Sequence, residues 1–138
     1  LLLSHLEVLA RNTRHPYPQR FGEVGPVLRP DPAAESGAET RYHAGIVLAE
    51  EAAGFADGAA RVELLLRSFD VGFVREPAVL GATIAGRAAV FRVAGESVAE
   101  VGELHPDVLT ALGVPVPATW AELDLSALWS LGARRDTH

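Results

Sequence analysis

The chain has no cysteine, no methionine and no lysine, and all 12 of its basic residues are arginine. Without cysteine, disulfides, thiolate metal sites and thiol nucleophiles are excluded together. No apolar run approaches the length that spans a bilayer. The opening Leu1-Leu2-Leu3 lacks the basic flank and small-residue cleavage site of a secretory signal. A cytoplasmic setting with no membrane partner is the expectation. With no methionine and a start in the middle of a helical pattern, the chain is expected to be an excised piece of a longer one.

Positive charge is scarce as well. A formal net charge of −6 opposes a nucleic-acid footprint over the whole domain, because phosphate binding needs a basic face. Only a local patch remains, in ARNTRHPYPQR, where Arg11, Arg14 and Arg20 are candidates for a phosphate clamp. Nucleophile and metal patterns are missing too. There is no G-x-S-x-G elbow, and Ser4, Ser36, Ser68, Ser97, Ser126 and Ser130 lie in unrelated contexts. His5, His15, His43, His105 and His138 show no short ligand spacing such as H-x-x-x-H. Catalytic and metal-ligating residues are therefore expected to be absent.

What is present suits one globular unit, since 138 residues fall within the commonest domain size. Leu2, Leu3, Leu6 and Leu9 recur at helical steps, ending at Asn12 before Pro16 and Pro18. A strand is expected over Arg20–Leu28, a polar loop over RPDPAAESGAET and a central strand over Arg41–Ala49. Val62, Leu65, Leu66 and Phe69 mark a helix over Ala59–Phe69, with Asp57 as its N-cap. Phe73–Glu76 reads as a strand, and Ala88–Val93 with Ser97–Leu104 as a hairpin turning at Ala94-Gly95. Pro106–Leu112 reads as a short helix ended by Gly113. Thr119–Leu125 alternates as a half-buried last strand should. This order predicts an α+β fold, an antiparallel sheet flanked by helices.

Several clusters have a chemical and a structural reading. Gly54 and Gly58 precede a helix whose N–H groups suit an anion, but the lysine and serine or threonine of a phosphate loop are missing, which favours plain capping. Glu50-Glu51 reads as a solvated strand exit and Arg134-Arg135 as a frayed tail. In TIAGRAA and GELHPDVL a glycine and a charge meet an apolar strand. Arg87 suits a phosphate and Glu103 suits a proton, yet a structural ion pair between buried-side partners is equally compatible. His105, just before the helix-opening Pro106, reads as a turn anchor.

Taken in order, LEVLARN, HPYPQR, EVG, GFADGAARVELLLRSF, GRAA and GELHPDVLTALGV resemble the β subunit of phenylalanine–tRNA ligase, especially its archaeal-type branch. They look like its C-terminal, catalytic-like module. The resemblance implies a class II aminoacyl-tRNA synthetase-like fold that is partial here, with the N-terminal part of the module missing. It assigns residues 1–125 to the non-catalytic core module and 126–138 to a C-terminal tail.

In that family the α subunit does the chemistry, so ATP and Mg2+ are implied for the whole enzyme through its other subunit and domains, with no cofactor in this module. The implied partners are the catalytic α subunit and, through the holoenzyme, tRNA. Arg20 and Glu23 resemble the arginine-to-glutamate strand motif that holds ATP in active members, and Gly86-Arg87 the glycine-arginine motif; all four read as vestigial. Arg20 and Glu23 are expected to pair structurally. Gly25, Gly102, Glu103, His105 and Pro106 are expected to be structural. Gly22, where a bulky residue is usual, and GATIAGRAA depart from the family pattern. The competing expectation is a stand-alone small-ligand or RNA-binding domain derived from such a module.

Overall fold

The computed structural model describes residues 19–50 and 54–136, with side chains over 22–50 and 54–131. The expected N-terminal helix, the clamp residues Arg11 and Arg14, His5, His15, Glu51 and His138 lie outside the described residues, as do the side chains of Arg20, Arg134 and Arg135. The expected Arg20–Glu23 pair therefore also lies outside them.

The elements run β1 (Gln19–Pro30), β2 (Ala38–Ala49), α1 (Phe55–Ser68), β3 (Val74–Pro77), β4 (Thr83–Val93), β5 (Glu96–Leu104), α2 (Pro106–Leu112), β6 (Ala118–Asp124) and α3 (Leu125–Asp136). The strands form one antiparallel sheet in the order β1-β2-β6-β5-β4-β3. The α+β expectation and the element order through β6 both hold. The last strand in sequence sits in the middle of the sheet, between β2 and β5.

Strand alternation divides the side chains between two faces. On one face, Ala89, Phe91 and Val93 of β4, Ala99 and Val101 of β5, and Ala121 and Leu123 of β6 meet Ala59, Val62 and Leu66 of α1 and Ala127, Leu128 and Leu131 of α3. Phe91, Leu66, Leu123 and Leu128 are fully enclosed there, each burial contributing about 1.5–3 kcal/mol. On the other face, α2 covers one end only, where Leu109 and Val114 meet Val47, Ala49, Leu104, Ala118 and Trp120. The rest of that face is open and polar.

Five expectations are corrected. Helix α1 starts at Phe55 rather than Ala59, and Asp57 is its third residue, accepting the Gly54 N–H at 3.0 Å. Gly54 takes the cap because its extended backbone turns the chain into the helix without a side chain in the way. Strand β4 begins at Thr83 rather than Ala88, passing through Gly86 at φ +80° with an irregular register between Thr83 and Ala88; glycine tolerates that left-handed residue, and a bulge hides strand period from sequence. The loop expected from Arg29 to Thr40 is shortened, because β1 and β2 pair over their full lengths from Gln19↔Ala49 to Pro30↔Ala38. Strand β6 is buried on both faces rather than half-buried, since α2 covers part of its second face. Finally, much of 126–138 is helix α3 rather than tail, and Ala127, Leu128 and Leu131 complete the main core.

The hairpin between β4 and β5 turns at Ala94-Gly95 as expected, with φ of 51° and 82°. Two consecutive left-handed residues match the right-handed twist of the paired strands.

Candidate functional site

Chemistry-bearing side chains gather in two places, one at the N-terminus of α1 and one on the open sheet face. The first is built on β5. Its residue Glu103 lies near the strand end, where the chain passes beneath the start of α1. Glu103 Oε1 accepts the Phe55 N–H at 2.7 Å, and Oε2 accepts from Arg87 Nη1 at 2.9 Å. A Cβ on Gly54 would stand 3.2 Å from Glu103 Oε1. The missing side chain therefore admits the carboxylate to the helix end, where negative charge is favoured by the unpaired N–H groups and the helix dipole. Asp57 takes the Gly54 N–H, so the anion-binding donors considered at Gly54 and Gly58 are met by the chain's own carboxylates.

Gly58 has a different task. A Cβ there would lie 2.6 Å from Thr119 Cγ2 and 2.9 Å from Val101 Cγ2. It lets α1 approach β5 and β6 closely.

Of the other expected site residues, Gly86 supports the bulge that precedes Arg87. Gly102 faces Ala88 across the β4–β5 ladder, and a Cβ on it would meet Thr83 Cγ2 at 2.6 Å. His105 is the N-cap of α2: its Nδ1 accepts the Asp107 N–H at 3.1 Å and its own N–H donates to the Ala82 carbonyl at 2.8 Å. Pro106 occupies the first turn, where a missing N–H does no harm. Thus Gly86, Arg87, Gly102, Glu103, His105 and Pro106 converge where β4, β5 and α2 meet. Glu23 and Gly25 are not brought there; they lie on β1 opposite Gly45 and His43, as does Gly22, where a Cβ would meet the Gly45 carbonyl oxygen at 3.2 Å.

The second cluster was missed by sequence reasoning. On the open face His43 Nδ1 stands 2.8 Å from Glu122 Oε2, and Nε2 is 3.7 Å from Asp124 Oδ2. Glu100 lies directly opposite Glu122 in the β5–β6 register. Burial, followed by the Glu122 charge, pushes the Glu100 carboxyl above its ordinary value, with His43 opposing the shift. Asp124 accepts two bonds from Arg41 Nη2 and Nε, at 3.0 and 3.2 Å, and caps α3 by accepting the Ala127 N–H at 3.0 Å. Burial works to lower the Arg41 guanidinium pKa, but the hydrogen bonds and charges of Asp124 and Glu39 overcome it and raise it above the usual arginine value. A signal was available: in WAELD the acids fall at alternate positions, which places Glu122 and Asp124 on one face.

This face does not fit a nucleotide triphosphate. Its cations are engaged, Arg41 by Asp124 and Glu39, and Arg92 by Glu76 at 3.0 Å. Glu100 and Glu122 add negative charge where phosphates would need positive. Among the described residues no group of three His, Asp or Glu side chains is placed to hold a metal ion, and no helix is long and apolar enough to cross a membrane.

Comparison with known proteins gives a consistent result. Residues 1–125 match the family model described as the phenylalanyl tRNA synthetase beta chain CLM domain. The phenylalanine–tRNA ligase β subunit of Methanopyrus kandleri is 37% identical over 129 residues, covering 93% of this chain and 22% of that protein. The β subunit of Halobacterium salinarum is 36% identical over 121 residues (88% and 21%), and that of Pyrococcus furiosus 31% over 129 residues (94% and 23%). The chain thus spans about a fifth of the length of these relatives.

Proposed function

The chain belongs to the family of phenylalanyl tRNA synthetase beta chain CLM domains, and from that premise we propose that it is a non-catalytic, class II synthetase-like module of a phenylalanine–tRNA ligase β subunit. It packs against the catalytic α subunit of an enzyme that attaches phenylalanine to tRNA using ATP, and it meets tRNA only through the holoenzyme. ATP and Mg2+ belong to the other subunit and domains. The setting is cytoplasmic.

One observation carries the non-catalytic part. Arg87, at the place resembling the glycine-arginine motif, is held by Glu103 at 2.9 Å, and Glu103 is itself anchored to the start of α1. An arginine committed to an internal carboxylate is not presented to a phosphate chain, and fold alone does not bring catalysis with it.

The test uses the full-length native chain with and without a phenylalanine–tRNA ligase α subunit. Co-elution with the α subunit, and no phenylalanine-dependent ATP–pyrophosphate exchange by the chain alone, is the expected result. Exchange by the chain alone overturns the non-catalytic assignment. Failure to associate overturns the assembly role.

A further inference from the structure

The structure assigns a second role to the Arg87–Glu103 corner: with the cleft beside it, we infer a binding site for a small monocarboxylate with a branched or aromatic apolar body. The cleft measures about 350 Å3 and lies between the start of β4, α2 and the segment leading into β6. Ile84, Leu104, Leu109, Val114 and Val116 line it, with Arg87 and Glu103 at its polar end. An apolar cavity of roughly 300–1,000 Å3 with a few convergent polar groups is the usual form of a small-molecule site.

The guanidinium is placed by a relay. Phe55 N–H fixes Glu103 Oε1, and Glu103 Oε2 fixes Arg87 Nη1. Glu103 is largely sheltered, at 16% side-chain exposure, whereas Arg87 stands 59% exposed. Among the described residues no hydrogen bond engages Arg87 Nε or Nη2. That edge of a planar guanidinium matches one carboxylate through two parallel hydrogen bonds.

Charge and shape narrow the ligand class. Glu103 lines the same cleft, so a dianionic phosphate would sit against a fixed carboxylate, while a monocarboxylate needs only one edge of Arg87. The apolar lining accepts a hydrocarbon body, which gains about 25 cal/mol for each Å2 removed from water. The site does not depend on the assembly role, because its lining residues all come from this chain.

The probes are 3-phenylpropionate and its uncharged amide, observed by saturation-transfer NMR and titration calorimetry on the full-length native chain. The acid is expected to bind, and the amide about tenfold or more weakly, corresponding to loss of a charge-assisted pair. Arg87→Gln should weaken the acid to the level of the amide. Thr110→Trp, which places bulk at the cleft mouth from an exposed position of α2, should abolish both. Acid and amide binding equally, or an affinity unchanged in Arg87→Gln and Thr110→Trp, overturns the inference, as does no binding by either probe. Circular dichroism verifies that each variant is folded, and Arg87→Gln, altering an exposed side chain, keeps the test decisive if Thr110→Trp is not. Association with the α subunit, measured on the same samples, is expected to be unchanged, which separates failure of this site from failure of the assembly role.

Discussion

Glu103 on β5 accepts the backbone N–H of Phe55 at 2.7 Å, so a strand carboxylate serves the first turn of the helix lying across it. The same side chain binds Arg87, and the two bonds differ in worth. The helix-end bond is sheltered and directed at a backbone donor, whereas the Arg87 pair involves an exposed guanidinium that water screens. Glu103→Ala should destabilise the fold by about 1–3 kcal/mol, because a part-buried N–H loses its acceptor. Arg87→Ala should change it by less than about 1 kcal/mol. Urea denaturation of both variants checks the order, and an equal loss would show that the ion pair dominates.

Gly102 is required by its neighbours across the ladder. An added Cβ would approach Thr83 Cγ2 to 2.6 Å, Thr83 Cβ to 3.1 Å and Ala88 Cβ to 3.3 Å. Gly102→Ala is expected to cost about 1–3 kcal/mol by overpacking. Thr83→Ser removes the nearest methyl and should recover part of that loss. A double-mutant cycle measures the coupling, and additive effects would contradict the steric account.

The open sheet face should give the fold a particular pH response. Burial and then Glu122 raise the Glu100 carboxyl above its ordinary value, so the folded chain binds this proton more tightly than the unfolded one. The associated stability is fully present below the unfolded glutamate value and is lost as the pH climbs through the raised folded value. Glu100→Gln removes the titration. The variant should gain stability over the parent at neutral pH, and the gain should shrink as the pH falls below the ordinary glutamate range. Denaturation curves across that range decide it; a variant less stable than the parent at neutral pH would overturn the expectation.

Asp124 joins three elements by ending β6, binding Arg41 of β2 and capping α3. Asp124→Ala removes the cap and leaves a part-buried arginine without its main partner, at a cost of about 2–4 kcal/mol. Asp124→Asn keeps a cap acceptor and should cost about half as much. Thermal unfolding followed by circular dichroism distinguishes them, with a loss of helical signal expected to accompany the alanine variant.

Local pattern in the chain was enough to determine much of this architecture. Proline and glycine bracket α2 in HPDVLTALG, two residues make the Ala94-Gly95 turn, and the apolar stripe of Val62 and Leu66 marks the buried side of α1. These features depend on neighbours within a turn or two, so sequence spacing encodes them directly. The family resemblance was equally legible, because it rests on ordered strings of residues rather than on their positions in space.

Tertiary structure alone decided the rest. Only pairing across the sheet put β6 in the middle, Glu100 opposite Glu122 and His43 against both acids of WAELD. Only the crossing of α1 over β5 joined Phe55 to Glu103. The opening arginine-rich segment illustrates the boundary: its composition suggested a phosphate clamp, while the sheet made from Gln19 onward turned its last part into the edge strand β1. Register and packing act between residues far apart in the chain, and no local periodicity carries that information.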